Sequence, residues 1–220
     1  MNSEFKRKHS RGWLNAVAAA ALASIGMGTA LADEDEGHMS LRSLTFANGG
    51  TLPLSMINNS PDANGLNMCT ASGAPGGNQS PQLTWKHAPD ETRSFIVIVY
   101  DVTAQFTHWA MYNIPAGTTS LPENAGVAES GYGIQNGNDF FTPSYGGPCP
   151  PKTLQPFVHE YTFTVYALDE FLPIVKAFGD FVPAGPEGLY QEVIDASRHH
   201  HVLGSATIKG HFSAVATANN

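Results

Sequence analysis

Ser94-Phe95-Ile96-Val97-Ile98-Val99-Tyr100-Asp101 is the stretch on which the reading of this chain turns. Phe95 to Tyr100 are large β-formers, and the branched side chains among them are stiff at χ1, which suits a pleated strand better than a helix. Apolar residues occupy odd and even positions alike, so both faces of the strand must be covered; this is a central strand. Asp101 closes the run with a carboxylate.

Outward from that strand, Glu160 to Leu168 alternates. Tyr161, Phe163, Val165 and Ala167 fall on one face, and Thr162, Thr164, Tyr166 and Leu168 on the other. His159 is in phase with Tyr161, so the two share a face. Trp109 to Ile114 makes a third strand, stopped by Pro115. Ser43 to Phe46, Leu83 to Lys86 and Ser205 to Phe212 are shorter candidates. One segment, about 185 to 200, is helical in pattern: Pro186 suits a first turn, Glu187 its positive end, and Leu189, Val193 and Ala196 share a face. The 15 prolines and 22 glycines punctuate the rest. The fold expected is mainly β, two sheets with one late helix.

The first 32 residues look like a cleaved secretory signal. Lys6, Arg7, Lys8 and Arg11 precede an Ala-rich apolar stretch, Trp13 to Leu31, and Ala30-Leu31-Ala32 suits a signal peptidase. Asn15, Ser24, Gly26, Gly28 and Thr29 dilute that stretch too far for a stable membrane span. The protein is therefore expected to be exported, to the periplasm or beyond. Residues 33–42 read as an acidic, solvated lead-in, 43–212 as one domain, and 213–220 as a flexible tail. Cleavage removes four basic side chains and Glu4, taking the net charge from −8 to −11. Such a surface repels nucleic acid and anionic headgroups at long range, which argues against nucleic acid as a partner.

Cys69 and Cys149 are the two cysteines. An even count in an exported chain favours a disulfide, with two unpaired thiols as the alternative. The bridge would tie the Gly-rich segment Ser72 to Asn78 to the loop Gly146 to Pro151.

Three strings carry candidate chemistry: Asp101 with His108-Trp109, Gly146-Gly147-Pro148-Cys149-Pro150-Pro151-Lys152, and His159-Glu160-Tyr161. Taken singly, each has a structural reading: a capping aspartate, a satisfied core histidine, a rigid turn. Together they offer two imidazoles, a carboxylate, a phenol and glycine N–H groups, equipment suited to a small anion. His199-His200-His201 invites a metal reading, but consecutive histidines diverge, and cations at a helix end complement its negative pole. His159-Glu160 lacks the second histidine of a zinc-protease motif. No cofactor motif is found. A small-ester hydrolase built on Asp101 and a histidine lacks a serine nucleophile in these strings.

The ordered pattern Ser80-Pro81-Gln82-Leu83-Thr84-Trp85, Ser94 to Asp101, His108-Trp109, Asn113-Ile114-Pro115-Ala116, Leu121-Pro122-Glu123, Gly146 to Lys152, His159-Glu160-Tyr161, Tyr166-Ala167-Leu168-Asp169 and His201 to Ala206 resembles the phosphatidylethanolamine-binding protein (PEBP) family. It is closest to the bacterial YbhB/YbcL-type, Raf kinase inhibitor-like branch. The resemblance covers about residues 41–212. It implies an antiparallel β sandwich with one or two short helices near the C-terminus, and a non-enzymatic pocket for a phosphate or carboxylate group. Asp101 and His108 fall on the pocket's acidic and first histidine positions, Pro150 and Pro151 on its proline wall, His159 on the second histidine, and Tyr161 on the phenol. Gly147 belongs to the adjoining turn. The resemblance also implies phospholipid headgroups or phosphorylated partners as ligands, inhibition of partner proteins by some members, and a homodimer. Where the family reads Asp-Pro-Asp-Ala-Pro, this chain has Asp101-Val102-Thr103-Ala104-Gln105, so the second acidic position is the neutral Thr103.

Overall fold

The computed structural model describes residues 38–173 and 186–216; the segment expected as a signal lies outside them. Among the described residues nine strands and one α-helix follow in order, with a 3-10 turn at Leu54–Met56: β1 Ser40–Arg42, β2 Gly50–Thr51, β3 Leu83–Lys86, β4 Ser94–Asp101, β5 Phe106–Pro115, β6 Ser120–Leu121, β7 Ile134–Gln135, β8 Val158–Leu168, α1 Pro186–Arg198 and β9 Val202–Ser213. They form a three-stranded sheet, β1-β3-β6, and a six-stranded sheet, β2-β9-β8-β4-β5-β7.

β4 lies between β8 and β5, with both neighbours antiparallel and both faces covered. Its inward side chains Phe95, Val97 and Val99 join Trp109, Met111, Phe163 and Val165 in the main core, against Leu83, Trp85, Leu52 and Met56. Trp85 meets Phe95 edge-on at 5.2 Å, joining the two sheets. The outward residues Ile96 and Ile98 pack with Ala110, Tyr112, Leu168, Leu189 and Ala196, which puts α1 on the outer face. The two-sheet β architecture with one late helix is the one expected.

Two local expectations fail. Ser43 to Phe46 is not a strand; pairing with β3 is made by Ser40–Arg42 instead. Leu44 is 85% exposed, and Ser43 and Thr45 spend their side chains on loop contacts, with Ser43 Oγ donating to the Gln82 carbonyl. Pairing is also not wholly antiparallel, because β2 runs parallel to β9.

The helix ends where the histidines begin. His200 adopts φ +64°, and His201 N–H reaches back to the Ala196 carbonyl at 2.7 Å, closing the last turn. That is the left-handed helix ending usually given to glycine. His199 and His200 are exposed, while His201 turns to Asp169, so the run diverges.

The disulfide joins Cys69 to Cys149 across a separation of 80 residues. It ties the long connection between β2 and β3 to the glycine-proline loop before β8.

Candidate functional site

Parity along two neighbouring strands builds most of the site. On β4, Asp101 continues the inward series Phe95, Val97, Val99 past the end of the apolar core. On β8, His159 extends the inward series Val165, Phe163, Tyr161 in the same direction, and Asp101 pairs with Tyr161. The sheet thereby sets a carboxylate beside an imidazole: His159 Nδ1 and Asp101 Oδ2 lie 2.7 Å apart, both buried. A carboxylate only accepts, so Nδ1 carries the proton and donates.

The second imidazole arrives by an irregularity. Val99 pairs with Trp109, but Tyr100 pairs with Thr107, so the register skips His108. This β-bulge places one extra residue on β5 and re-aims it. His108 is buried, its ring 5.3 Å from that of Tyr161. Its Nδ1 donates to the Gly146 carbonyl at 2.7 Å. Burial pushes the His108 imidazole below its ordinary value, against smaller upward contributions from the Gly146 carbonyl, Asp101, the Gly147 backbone and Asp139.

Asp101, His108, His159, Pro150 and Pro151 line one cavity of about 170 Å³ with Ala104, Phe106, Phe140 and Cys149. Of the residues expected at the site, these five converge. Three others stand elsewhere. Thr103 is outside the lining: its Oγ1 accepts the Glu160 N–H at 3.0 Å, and its own N–H goes to Asp101. Gly147 is outside the lining, and its N–H donates to Asn78 Oδ1 at 2.7 Å, while Gly146 N–H donates to the His108 carbonyl. The glycine donors expected to face a ligand are thus already used. Gly147 is required for a different reason: a Cβ there would collide with the Met56 carbonyl oxygen.

Tyr161 lies behind the cavity, against both imidazoles; its ring stacks on His159 at 6.4 Å between centroids. Its hydroxyl is buried. Burial first, then the nearby Asp101 charge and a hydrogen bond toward that carboxylate, push the phenol well above its ordinary value, so it keeps its proton.

Sequence reasoning missed the aromatic side of the cavity. Phe106 and Phe140 rings meet at 4.7 Å, and both flank His108. Phe140 is held by a turn built around Asn138, whose Oδ1 accepts from Phe140 N–H and Thr142 N–H, and whose Nδ2 reaches the Ser144 carbonyl. The only sequence signal was an Asn-x-Phe-Phe string inside an otherwise polar loop. Among the described residues no group of three or more His, Cys, Asp or Glu side chains converges as a metal site.

The fold and site define a two-sheet β protein with a half-open, histidine-lined cavity at the ends of β4, β5 and β8. Residues 42–213 match the family model described as phosphatidylethanolamine-binding protein. The chain belongs to that family, and its relatives are of the bacterial YbhB/YbcL type. It is similar to the UPF0098 protein YbcL of Escherichia coli (strain K12), 43% identical over 111 residues, a stretch covering 46% of this chain and 60% of that relative. It is also similar to the UPF0098 protein YbhB of the same organism, 36% identical over 148 residues, 64% of this chain and 85% of the relative. The crystal structure of E. coli YbcL, described as a member of the mammalian PEBP family, is similar with a TM-score of 0.60 at 28% identity, covering 80% of this chain and 99% of that one.

Proposed function

We propose that the cavity holds the oxyanion of a small phosphate- or carboxylate-bearing ligand, and that the protein acts as an exported binding protein without turnover. The observation that carries this reading is the convergence of two imidazoles from separate strands. Each has Nδ1 committed to a fixed acceptor, which leaves Nε2 as the ring atom available to a guest. Fixing one nitrogen of a histidine sets the tautomer and orientation of the other. The buried Tyr161 ring backs both imidazoles and helps to fix their positions. Export is supported by the basic-apolar leader and by the disulfide, a bond that persists in oxidising compartments.

The Asp101–His159 pair also has the geometry of an acid–base couple. The lining side chains, however, include no hydroxyl nucleophile, and the one sulfur among them, in Cys149, is in the disulfide. Binding is therefore the better reading.

The family's description makes phosphoethanolamine the first probe. Titrated into the isotopically labelled protein lacking residues 1–32, it is expected to shift the NMR signals of His108, His159 and Tyr161. Silence at those three, or shifts confined to His199–His201 on adding zinc, would overturn the assignment.

A further inference from the structure

The last strand of the large sheet is paired along its whole length on one side and only near its end on the other. β9 runs from Val202 to Ser213 and meets β8 throughout. On its far side β2 pairs only with Gly210 and His211. Lys209 shows which way the free backbone groups point. Its N–H donates to Asn48 Oδ1 at 2.8 Å and its carbonyl accepts the Gly49 N–H at 2.7 Å, so both face away from β8. Alternate residues of an antiparallel strand face the same side. The register with β8 is unbroken from Ser213 back to Gly204, so Thr207 and Ser205 turn their N–H and C=O outward as Lys209 does. Among the described residues no other segment pairs with them on that side.

Sheet edges are normally blunted by lysine, by proline, by a central bulge or by brevity. Val202-Leu203-Gly204-Ser205-Ala206-Thr207-Ile208 has no charge and no proline, and its one register shift lies at the extreme end, opposite Ala167 and Leu168. Ser205 and Thr207 are exposed. Gly204, Ser205 and Ala206 are small, which lets a second strand come to normal ladder spacing. The open stretch is bounded by Asn48-Gly49 at Lys209 and by the turn at His201, whose N–H returns to α1. A short extended segment fits between them.

The charges nearby decide what kind of segment. Asp90 and Glu91 follow Pro89, which packs at Gly204, and Asp169 and Glu170 follow β8 at the same end. The cations there are Arg93, which lies over the Phe171 ring, and His201, which is held by Asp169. At the other end Lys209 is paired to Glu160. With a net charge of −11 once residues 1–32 are removed, the protein attracts a strand carrying lysine or arginine and repels an acidic one or a second copy of itself. We propose that the Val202–Ile208 edge of β9 is a docking site for an extended, basic segment of a partner protein, which adds a strand to the large sheet. The outward backbone groups of Ser205 and Thr207 supply the pairing, and the acidic surroundings select the charge. Ser205 pairs with Tyr166 while His159 lies at the opposite end of β8, so the site is independent of the histidine-lined cavity.

Amide hydrogen exchange read by NMR on the protein lacking residues 1–32 tests this in two steps. In dilute protein alone, Ser205 and Thr207 should exchange about tenfold or more faster than Ala206 and Ile208, whose N–H groups face β8. A capped octapeptide of alternating lysine and valine, at millimolar concentration, should then slow Ser205 and Thr207 about tenfold. The same peptide N-methylated at every residue, and a capped octapeptide of alternating glutamate and valine, should leave them within about twofold of the free rate. Slow exchange in the free protein would overturn the proposal by showing the edge already closed, and loss of that protection on dilution would name a second copy as its occupant. No protection by the lysine peptide, or equal protection by the glutamate peptide, would overturn it as well.

Two variants bring the test to the edge itself. Thr207→Pro removes one outward N–H without touching the ladder to β8, at a position where an edge strand tolerates proline. It should abolish the protection of Ser205 by the lysine peptide. Ser205→Lys with Thr207→Lys keeps both N–H groups and blunts the edge by charge, so it folds even where the proline variant does not. It should weaken the lysine peptide about tenfold. Protection that survives unchanged in the lysine variant would show that the peptide docks elsewhere.

Discussion

The two ends of β8 carry the same pair of side chains in opposite surroundings. At its start, His159 Nδ1 donates to Asp101 at 2.7 Å; just past its end, His201 Nδ1 donates to Asp169 at 2.8 Å. The bond lengths do not distinguish them. Burial does: the side chains are 6% and 3% exposed in the first pair, 41% and 37% in the second. In the buried pair Asp101 also collects two backbone N–H groups, and both members line a cavity. In the outer pair water can replace either partner. The same chemistry is thus a fixed part of a site at one end and an ordinary surface contact at the other.

The pocket end is also stapled, and breaking the staple is the largest way to test the contrast. Closing a loop of 80 residues stabilises by about 4–5 kcal/mol in the chain-entropy model. Cys69→Ala with Cys149→Ala should lower the urea-unfolding free energy by about 4 kcal/mol, and should weaken ligand binding because Cys149 and Pro150 form the cavity wall. A loss below about 1 kcal/mol would mean that hydrogen bonds alone hold this end.

The next effect separates the two pairs directly. Asp101→Ala strands a buried imidazole N–H and two backbone N–H groups, at a cost of about 3 kcal/mol in urea unfolding. It should also abolish the phosphoethanolamine shifts at His159. Well above the pH at which His201 titrates, Asp169→Ala should change the unfolding midpoint little, since both partners there are well hydrated. Equal losses from the two substitutions would erase the distinction between buried and surface pairs.

How much of this was legible follows from which signals are periodic. The strand at Ser94–Asp101 and the alternation through Leu168 are period-2 patterns, so the sheet, its inward faces, and the shared face of His159 and Tyr161 could be read directly. The late helix could be read from Pro186 and the apolar face that follows it. His108 could be suspected but not aimed. Strict alternation from the inward Trp109 would send it outward, and only the bulge against Val99 and Tyr100 turns it to the cavity. The glycine N–H donors were misjudged because their acceptors, Asn78 and the His108 carbonyl, come from distant segments that no local pattern links. Phe106 and Phe140 were missed for the same reason: their meeting depends on how Asn138 folds a turn, not on spacing. Thr103 carries a further contact that spacing could not reveal, because its Oγ1 accepts a strand N–H from Glu160, 57 residues away.

The smallest effect is the sharpest in sign. The hydrogen bond to Asp169 holds the His201 imidazole above its ordinary value of 6.5. A histidine raised in the folded state contributes stability that is complete below the unfolded value and is lost as pH rises through the folded one. His108 is lowered by burial, so its contribution runs the other way: stability falls as pH drops from 6.5 toward its folded value, because the unfolded chain there binds the extra proton. The two histidines therefore tilt the pH dependence of stability in opposite directions, the surface pair favouring acid and the buried ring resisting it. NMR titration of the ring signals should find His201 above and His108 below 6.5. Asp169→Asn should return His201 toward its ordinary value and leave His108 where it was. Added salt should do the same in part, since an exposed pair is screened and a buried ring is not. If instead Asp169→Asn moved both rings together, the two ends of β8 would be coupled, and burial alone could not account for their difference.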